Sequence, residues 1–299
     1  MGGISMTIPP GYIRVNARRK CPVCGRADWC LIHRDGGTAL CPRTLSDKSW
    51  GECGFLHVMD AGVVGGRKEA AVVKQPPPKR IDDWTPRLAQ YDKNITRDQI
   101  ERLAVSLRVR STSLAGLRIG FSHQHDAFTF PMCDHQGKTI GVRLRSADGT
   151  RKLSIVGGRN GLFIPTYPQS MIDGEQEWWV VEGPTDTAAM LDWQLPTIGR
   201  PSCSAGVDMT CRFLKGKSVV IVANYDSPKT RPDGSIFYPG QEGAAVLANA
   251  LATTTDSVRV IYPRRGFKDV REWKRNGATL EELLSIRDNA VPWEAPRLA

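Results

Sequence analysis

The sequence predicts a multidomain protein that combines α+β and α/β architecture, and three observations carry that prediction. Five of the eight cysteines fall between Cys21 and Cys53, which indicates a small metal-binding module near the start of the chain. Alternating apolar and polar residues between 119 and 165 predict a run of antiparallel strands. From Trp178 onward buried strands alternate with helices, a pattern that predicts a central parallel sheet.

Length and composition are those of an ordinary globular protein with a basic surplus. The chain has 299 residues, 40% of them hydrophobic, and a formal net charge of +10. Since Lys and Arg bound to phosphates release condensed counterions, this surplus favours a polyanionic partner. No stretch approaches the roughly 20 apolar residues of a membrane span, and no secretion signal is recognised. We therefore expect a cytoplasmic protein without a membrane partner.

Four segments are predicted along the chain. Residues 1–60 form the cysteine-rich module, and residues 61–82, with Gly-Gly and a Pro triplet, read as a flexible linker. Residues 83–172 form a β-rich basic subdomain. Residues 173–299 form the α/β domain, which ends in a short helical tail over 279–287.

The cysteine spacing predicts a zinc ribbon. Cys21 and Cys24 form a C-x2-C knuckle with an intervening Pro and a following Gly, and Cys41 comes after two predicted strands and a turn. Tetrahedral Zn²⁺ takes four nitrogen or sulfur ligands, so these three cysteines leave one ligand open. The candidates for that position are His57, Cys30 and Cys53. The alternative for both cysteines is that they are small buried residues.

The β-rich subdomain (83–172) contains a predicted helix and a basic strand. Thr96 is a capping residue, and Ile100, Leu103 and Leu107 follow at helical spacing. The later segment KTIGVRLRS reads as a strand, whose alternation places Arg143 and Arg145 on one face. With Lys152, these side chains are candidate contacts to nucleic acid or nucleotide phosphates. The alternative is a solvated strand face.

Acidic residues follow three predicted strands or lie close to their ends. Glu182 comes directly after a hydrophobic strand, Asp186 begins a helix, and Asp226 follows a second strand. Asp269 lies in a third segment, Gly266-Phe267-Lys268-Asp269-Val270. Such acids can converge on one or two Mg²⁺ ions and support phosphoryl transfer. A salt-bridge network is the alternative, and Asp186 taken alone reads as a helix cap. The chain has no Walker A loop, which argues against a helicase or ATPase.

At these residues the chain resembles the TOPRIM domain of bacterial and phage- or plasmid-type primases. The motifs are Glu182-Gly183-x-x-Asp186, the strand that ends near Asp226, and Lys268-Asp269. The zinc knuckle, the Gly-Phe-Leu-His stretch and the segments GVRLR and GLFIP resemble the same family. The resemblance implies that Glu182, Asp226, Lys268 and Asp269 are catalytic, with Glu182, Asp186 and Asp226 among the ligands of Mg²⁺ or Mn²⁺.

One position departs from the family pattern. Where the family carries D-x-D, this chain has Asn224-Tyr225-Asp226. Asparagine keeps an oxygen ligand but loses a charge, which weakens metal binding. Asn224 is consistent with a natural variant, an engineered change or lost activity. The segment that follows, residues 227–240, reads either as a mobile loop carrying Lys229 and Arg231 to nucleotide phosphates or as a plain surface loop.

The resemblance implies primase activity: RNA primer synthesis from ribonucleoside triphosphates on single-stranded DNA, with a replicative helicase supplied in trans. Two alternatives stay open. A TOPRIM nuclease would use the same acids, and a replication or recombination factor would bind DNA through the zinc module without synthesis. Asn224 is the feature that favours the second alternative.

Overall fold

A computed structural model describes residues 9–28, 30–41, 43–44, 46, 48, 55–59, 80–231 and 233–294. Cys53 and most of the predicted linker (61–79) lie outside the described residues. The chain divides into two compact units, Met1–Lys79 and Arg80–Ala299. Within the described ranges, no helix is both long enough and apolar enough to cross a membrane.

The first unit is built on an antiparallel sheet of four strands in the order β1-β2-β3-β4. The strands are β1 (Tyr12–Arg14), β2 (Leu31–His33), β3 (Thr38–Cys41) and β4 (Phe55–Val58). One cluster in this unit combines Val15 and Ile32 with buried cysteines, and Leu31, Ala39 and Leu40 are the other buried apolar residues among those described. A core this small buries little apolar surface, so a unit of this size usually needs a metal or a disulfide for stability.

The second unit begins with three helices and an antiparallel sheet in the order β5-β6-β7-β8. The elements are α1 (Thr85–Asn94), α2 (Arg97–Leu107), α3 (Ser111–Gly116), β5 (Gly120–Ser122), β6 (Ala127–Cys133), β7 (Thr139–Arg145) and β8 (Lys152–Ser154). The capping residue predicted at Thr96 is confirmed, and it forms a capping box in which Thr96 and Gln99 exchange hydrogen bonds. Helix α1 was not predicted. It buries none of its residues fully, and it packs against the core through the partly buried Leu88 and Tyr91.

A parallel sheet of four strands, in the order β10-β9-β11-β14, forms the centre of this unit. Its strands are β9 (Trp178–Glu182), β10 (Thr197–Arg200), β11 (Ser218–Val222) and β14 (Ser257–Ile261). The three predicted strands are confirmed, and β10 adds an edge strand that its short sequence between two prolines did not indicate. The helices around it are α4 (Gln169–Asp173), α5 (Pro184–Asp192), α6 (Val207–Phe213), α7 (Pro239–Leu251), α8 (Val270–Arg275) and α9 (Leu280–Asn289).

The segment 227–240 contains a short hairpin of β12 (Lys229–Thr230) and β13 (Ile236–Phe237). Its Arg231 is held by contacts within the chain. The guanidinium pairs with the carboxylate of Glu242 and lies 4.5 Å from the centre of the Phe237 ring. This arrangement agrees with the surface-loop alternative.

The two sheets of the second unit share their hydrophobic cores. Phe163 packs in one cluster with Ala188 of α5 and with residues of α2 and β6. Leu162 packs in another cluster with the parallel sheet, and Phe163 bridges Gly199 of β10. Arg143 and Arg145 of β7 line the same pocket as Glu182 and Gly183, so β7 lies close to the carboxyl end of β9.

Candidate active site and metal centre

Four cysteines of the first unit form a compact thiol cluster. The Sγ atoms of Cys21, Cys24, Cys30 and Cys41 all lie within 4.8 Å of one another. The C-x2-C turn supplies the first two, Cys30 directly precedes β2, and Cys41 ends β3. All four are free thiols, and three of them are buried. Four sulfur atoms gathered in this way match the ligand set of a structural zinc site.

His57, the other described candidate for the fourth ligand, lies outside this cluster. Its Nε2 is 3.0 Å from the carbonyl oxygen of Thr44, and the residue pairs with Ala39 on β3. A cation does approach the thiols: Nη1 of Arg43 lies 3.6 Å from the Cys30 sulfur, while Nη2 pairs with Asp28 at 3.0 Å. A positive charge at this place would offset part of the negative charge of four thiolates.

The predicted acids lie at the carboxyl ends of the parallel strands. Glu182 ends β9, and Gly183 (φ 81°) makes the turn into α5, a left-handed conformation that favours glycine. Burial raises the pKa of Glu182, and repulsion from Asp226 raises it further, against the opposing effect of Arg200 and Lys268. Asp226 itself pairs with Lys268, whose Nζ lies 3.3 Å from its Oδ1.

A second group of charges lies at the starts of α5 and α8. Asp186 is buried in the first turn of α5, and Asp269 caps α8 by accepting a hydrogen bond of 2.7 Å from the amide of Glu272. Burial raises the pKa of Asp186 well above its ordinary value, and repulsion from Asp269 adds to this rise. Arg271 opposes it, with its Nε 3.6 Å from Asp186 Oδ1 and its Nη2 3.9 Å from Asp269 Oδ2.

The basic strand faces these acids. Val142 and Leu144 of β7 are buried on one face, while Arg143 and Arg145 alternate with them, and Lys152 of β8 pairs with Arg145 across the ladder. Burial lowers the pKa of Arg145, and repulsion from Arg271 lowers it further. The Nε atoms of Arg143 and Arg145 are buried without a hydrogen-bond partner within the described structure. Cations crowded in this way attract an anion.

One pocket of about 320 Å³ is lined both by the basic side chains of β7 and β8 and by acids at the strand and helix ends. Of the predicted site residues, its lining includes Arg143, Arg145, Lys152, Glu182, Asp186, Asn224, Lys268 and Asp269. Asp226 is not on the lining, although its partner Lys268 is. A larger cavity of about 620 Å³ lies beside α1 and the β6–β7 turn, and no predicted site residue lines it.

Side-chain oxygens that could hold a divalent ion lie on two sides of this pocket. Glu182 and Asn224 offer side-chain oxygens, the ligands that Mg²⁺ and Mn²⁺ prefer, and the repulsion between Glu182 and Asp226 is the kind that a cation relieves. On the other side Arg271 already lies beside Asp186 and Asp269. Across the described chain, the thiols are the one group of three or more Cys, His, Asp or Glu ligands gathered as tightly as 4.8 Å.

Two arginines of the site were not among the sequence candidates. Arg271 lines the pocket two residues after Asp269, so the proximity of these residues in the sequence was an available signal. Arg200 ends β10 and is buried, and it donates to the carbonyl oxygens of Cys203 and Ala205. In the sequence Arg200 is a single charge at the end of a short apolar stretch. A charge in that position does not by itself identify a site residue.

No family model matches the chain, and no curated protein matches it. Solved structures do match the fold. A DnaG primase catalytic domain bound to single-stranded DNA has 15% identity and a TM-score of 0.53, over 70% of this chain and 77% of that one. The E. coli primase catalytic core has 15% identity and a TM-score of 0.51, over 69% and 79%.

A third match is the Aquifex aeolicus primase structure that comprises zinc-binding and RNA polymerase domains. It has 14% identity and a TM-score of 0.54, over 70% of this chain and 60% of that one. At these identities the likeness concerns the fold. The chain therefore has the fold of a DnaG-type primase catalytic core.

Proposed function

We propose that this chain is a DNA primase, a nucleotidyltransferase that makes RNA primers on a single-stranded DNA template. The observation that carries the proposal is the single pocket in which basic side chains of β7 and β8 face acids at the ends of parallel strands. That pocket occurs in a fold shared with primase catalytic cores, one of them bound to single-stranded DNA. Many phosphate-binding proteins have a pocket with charges of this kind, so the pocket alone does not select a primase. The fold selects primases among these proteins.

The residues of the pocket divide into two roles in this proposal. Arg143, Arg145 and Lys152 bind phosphates of template or ribonucleoside triphosphate, since such contacts fix the position of the strand without reading its sequence. Glu182 and Asn224, together with Asp226, hold Mg²⁺ or Mn²⁺ in a TOPRIM domain. The bound ion would neutralise charge that develops on the transferred phosphoryl group.

Lys268 and Asp269 support this arrangement from the start of α8. Lys268 holds the carboxylate of Asp226 through its ammonium group, and its side chain remains 59% exposed, so it can also meet an incoming phosphate. Asp269 caps α8 and thereby orients the first turn that carries Arg271. Asp269 therefore acts by positioning α8, whereas Lys268 both holds Asp226 and is available to bind phosphate.

The thiol cluster is the proposed structural zinc site, with Cys21, Cys24, Cys30 and Cys41 as its ligands. The four thiols support this choice over His57 because their sulfur atoms are already close enough to share an ion. The ion would stabilise the first unit, which we propose contacts template DNA. A matching primase structure also includes a zinc-binding domain.

A second function is favoured by Asn224. Its amide stands where the resembling family has a carboxylate, so this site offers less negative charge to a divalent ion. A replication factor of the phage or plasmid kind that binds DNA without synthesis would tolerate that loss. In either case the partners would include single-stranded DNA and a helicase supplied in trans.

The test is primer synthesis by the zinc-loaded full chain. Single-stranded DNA of mixed sequence, labelled ribonucleotides and either Mg²⁺ or Mn²⁺ are incubated with the wild type and with Glu182→Gln. We expect short RNA products that disappear in the variant, because Glu182 lies at the centre of the proposed ion site. Glu175→Gln removes an exposed carboxylate outside the pocket and is the matched control.

The outcomes separate the candidate functions. Products that survive Glu182→Gln would contradict the assignment of the site. No products with either ion, together with retained DNA binding, would favour the binding factor, and Asn224→Asp would then be expected to restore synthesis. Degradation of the template in place of synthesis would indicate a nuclease.

A further inference from the structure

We propose that Arg271 is a permanent cation of the pocket, standing between Asp186 and Asp269 where a second divalent ion would otherwise be held. The site would then take a single exchangeable divalent ion, on the side of Glu182. This inference rests on the proposed site and deepens it, because it states how the pocket would be charged before nucleotide arrives.

The geometry places the guanidinium between two acids that come from different helices. Its Nε lies 3.6 Å from Asp186 Oδ1, and its Nη2 lies 3.9 Å from Asp269 Oδ2. The other oxygen of Asp269 accepts the amide hydrogen of Glu272 at 2.7 Å, as the cap of α8. An ion at this place would therefore have to displace Arg271 and compete with a helix cap.

Burial makes a neighbouring positive charge favourable for Asp186. The side chain of Asp186 is 5% exposed and that of Arg271 is 22% exposed. A buried carboxylate without a neighbouring cation is costly, and the usual solution is a partner charge or a bound metal. Here the chain supplies the partner itself.

The ion pair between Asp186 and Arg271 nevertheless lacks a direct hydrogen bond. Asp186 Oδ1 and Arg271 Nε are both buried and have no hydrogen-bond partner within the described structure, because 3.6 Å is too long for a hydrogen bond. Both atoms belong to residues of the pocket lining. An anionic ligand such as a triphosphate would complete the donors of Arg271, which a carboxylate at this distance leaves free.

The charge of the whole pocket supports one ion. Its lining carries five cations, on Arg143, Arg145, Lys152, Lys268 and Arg271, and three carboxylates, on Glu182, Asp186 and Asp269. The pocket is therefore positive before any metal ion enters. A triphosphate needs fewer divalent ions in such surroundings than in a pocket lined mainly with acids.

The experiment counts divalent ions without reference to activity. Zinc-saturated full chain is titrated with MnCl₂ in the absence of nucleotide, and free Mn²⁺ is measured by electron paramagnetic resonance. For the wild type we expect one bound ion, which Glu182→Gln removes. For Arg271→Ala we expect a second bound ion, because the Asp186–Asp269 pair is released, and the double variant Asp186→Asn/Arg271→Ala should lose it again.

Arg275→Ala is the matched control, since Arg275 lies on the same helix but is exposed and outside the pocket lining. Its ion count should equal that of the wild type. Arg271→Gln repeats the test with a side chain of closer size if the alanine variant does not fold, and circular dichroism identifies that case. A wild-type count of none or of two would overturn the proposal even if neither variant folded.

An unchanged count in a folded Arg271 variant would overturn it equally. Failure of primer synthesis with the expected ion counts would instead reject the proposed function and leave the role of Arg271 standing. The same set of variants therefore tests the proposed function and the role of Arg271 separately.

Discussion

Asp192 offers the sharpest test of how the second unit is held together. It is the last residue of α5, and its side chain is 7% exposed. One of its oxygens accepts from Lys274 Nζ at 2.6 Å, which ties α5 to α8. The other accepts from Ser113 Oγ at 2.6 Å and from the amide of Arg110 at 3.0 Å, which ties it to α3. One carboxylate therefore joins three helices, including the one that carries Arg271.

The expected cost of Asp192→Ala follows from what it leaves behind. The ammonium group of Lys274 is 17% exposed and would lose its carboxylate. Removing one partner of such a buried pair costs about 3–5 kcal/mol of unfolding free energy. The side chain of Arg110 is 51% exposed, so its ionic contribution is screened by water and is not counted. Asp192→Asn keeps one acceptor oxygen and should cost about half as much.

Urea unfolding of the full chain, followed by circular dichroism, measures this loss. Asp208→Ala is the matched control, because Asp208 forms an exposed pair with Arg212 on α6 and its removal should cost less than about 0.5 kcal/mol. A loss below about 1 kcal/mol for Asp192→Ala, or a loss equal to that of the control, would refute the reasoning. A large loss accompanied by a changed denaturant slope would indicate an altered denatured state instead.

Three further substitutions test other parts of the molecule. Cys30→Ser should lower the zinc content of the purified protein strongly, because Cys30 belongs to the thiol cluster, whereas His57→Ala should leave it unchanged, because His57 lies outside the cluster. Equal losses by metal analysis would contradict the proposed ligand set. Glu182→Gln should raise the free energy of unfolding near pH 8, because burial and a neighbouring acid hold the pKa of the carboxyl above its ordinary 4.5, so that ionisation destabilises the folded state. This gain should vanish as the pH falls below 4.5. A gain that persists in urea unfolding measured below that pH would argue for another cause. Gly141→Ala should cost about 1–3 kcal/mol in a thermal unfolding experiment, because a Cβ there would collide with a backbone carbonyl of the loop after β8. Gly116→Ala should be nearly neutral, because its Cβ would meet only Leu191 Cδ1, at an ordinary contact distance of 3.9 Å.

Much of the fold was predictable because local signals and tertiary packing agree. The strand before Glu182 is a continuous apolar run, and it is central in the parallel sheet, where both faces are covered. The box at Thr96 forms from residues three apart, so its hydrogen bonds need nothing from the rest of the chain. By contrast α1 packs only through the partly buried Leu88 and Tyr91, and β10 is four residues long. Their formation depends on neighbours that lie far away in sequence.

The candidate site divides in the same way. Residue type and spacing alone determined that Cys21, Cys24 and Cys41 could share an ion and that Glu182 would stand at a strand end. Only the tertiary structure brought Cys30 to the cluster and left His57 outside it, because the pairing of β2, β3 and β4 decides which side chains converge. The same holds for Arg271, whose two acids are contributed by different helices. Periodicity reports which face a residue occupies, whereas the contacts between faces are set by packing over the whole chain.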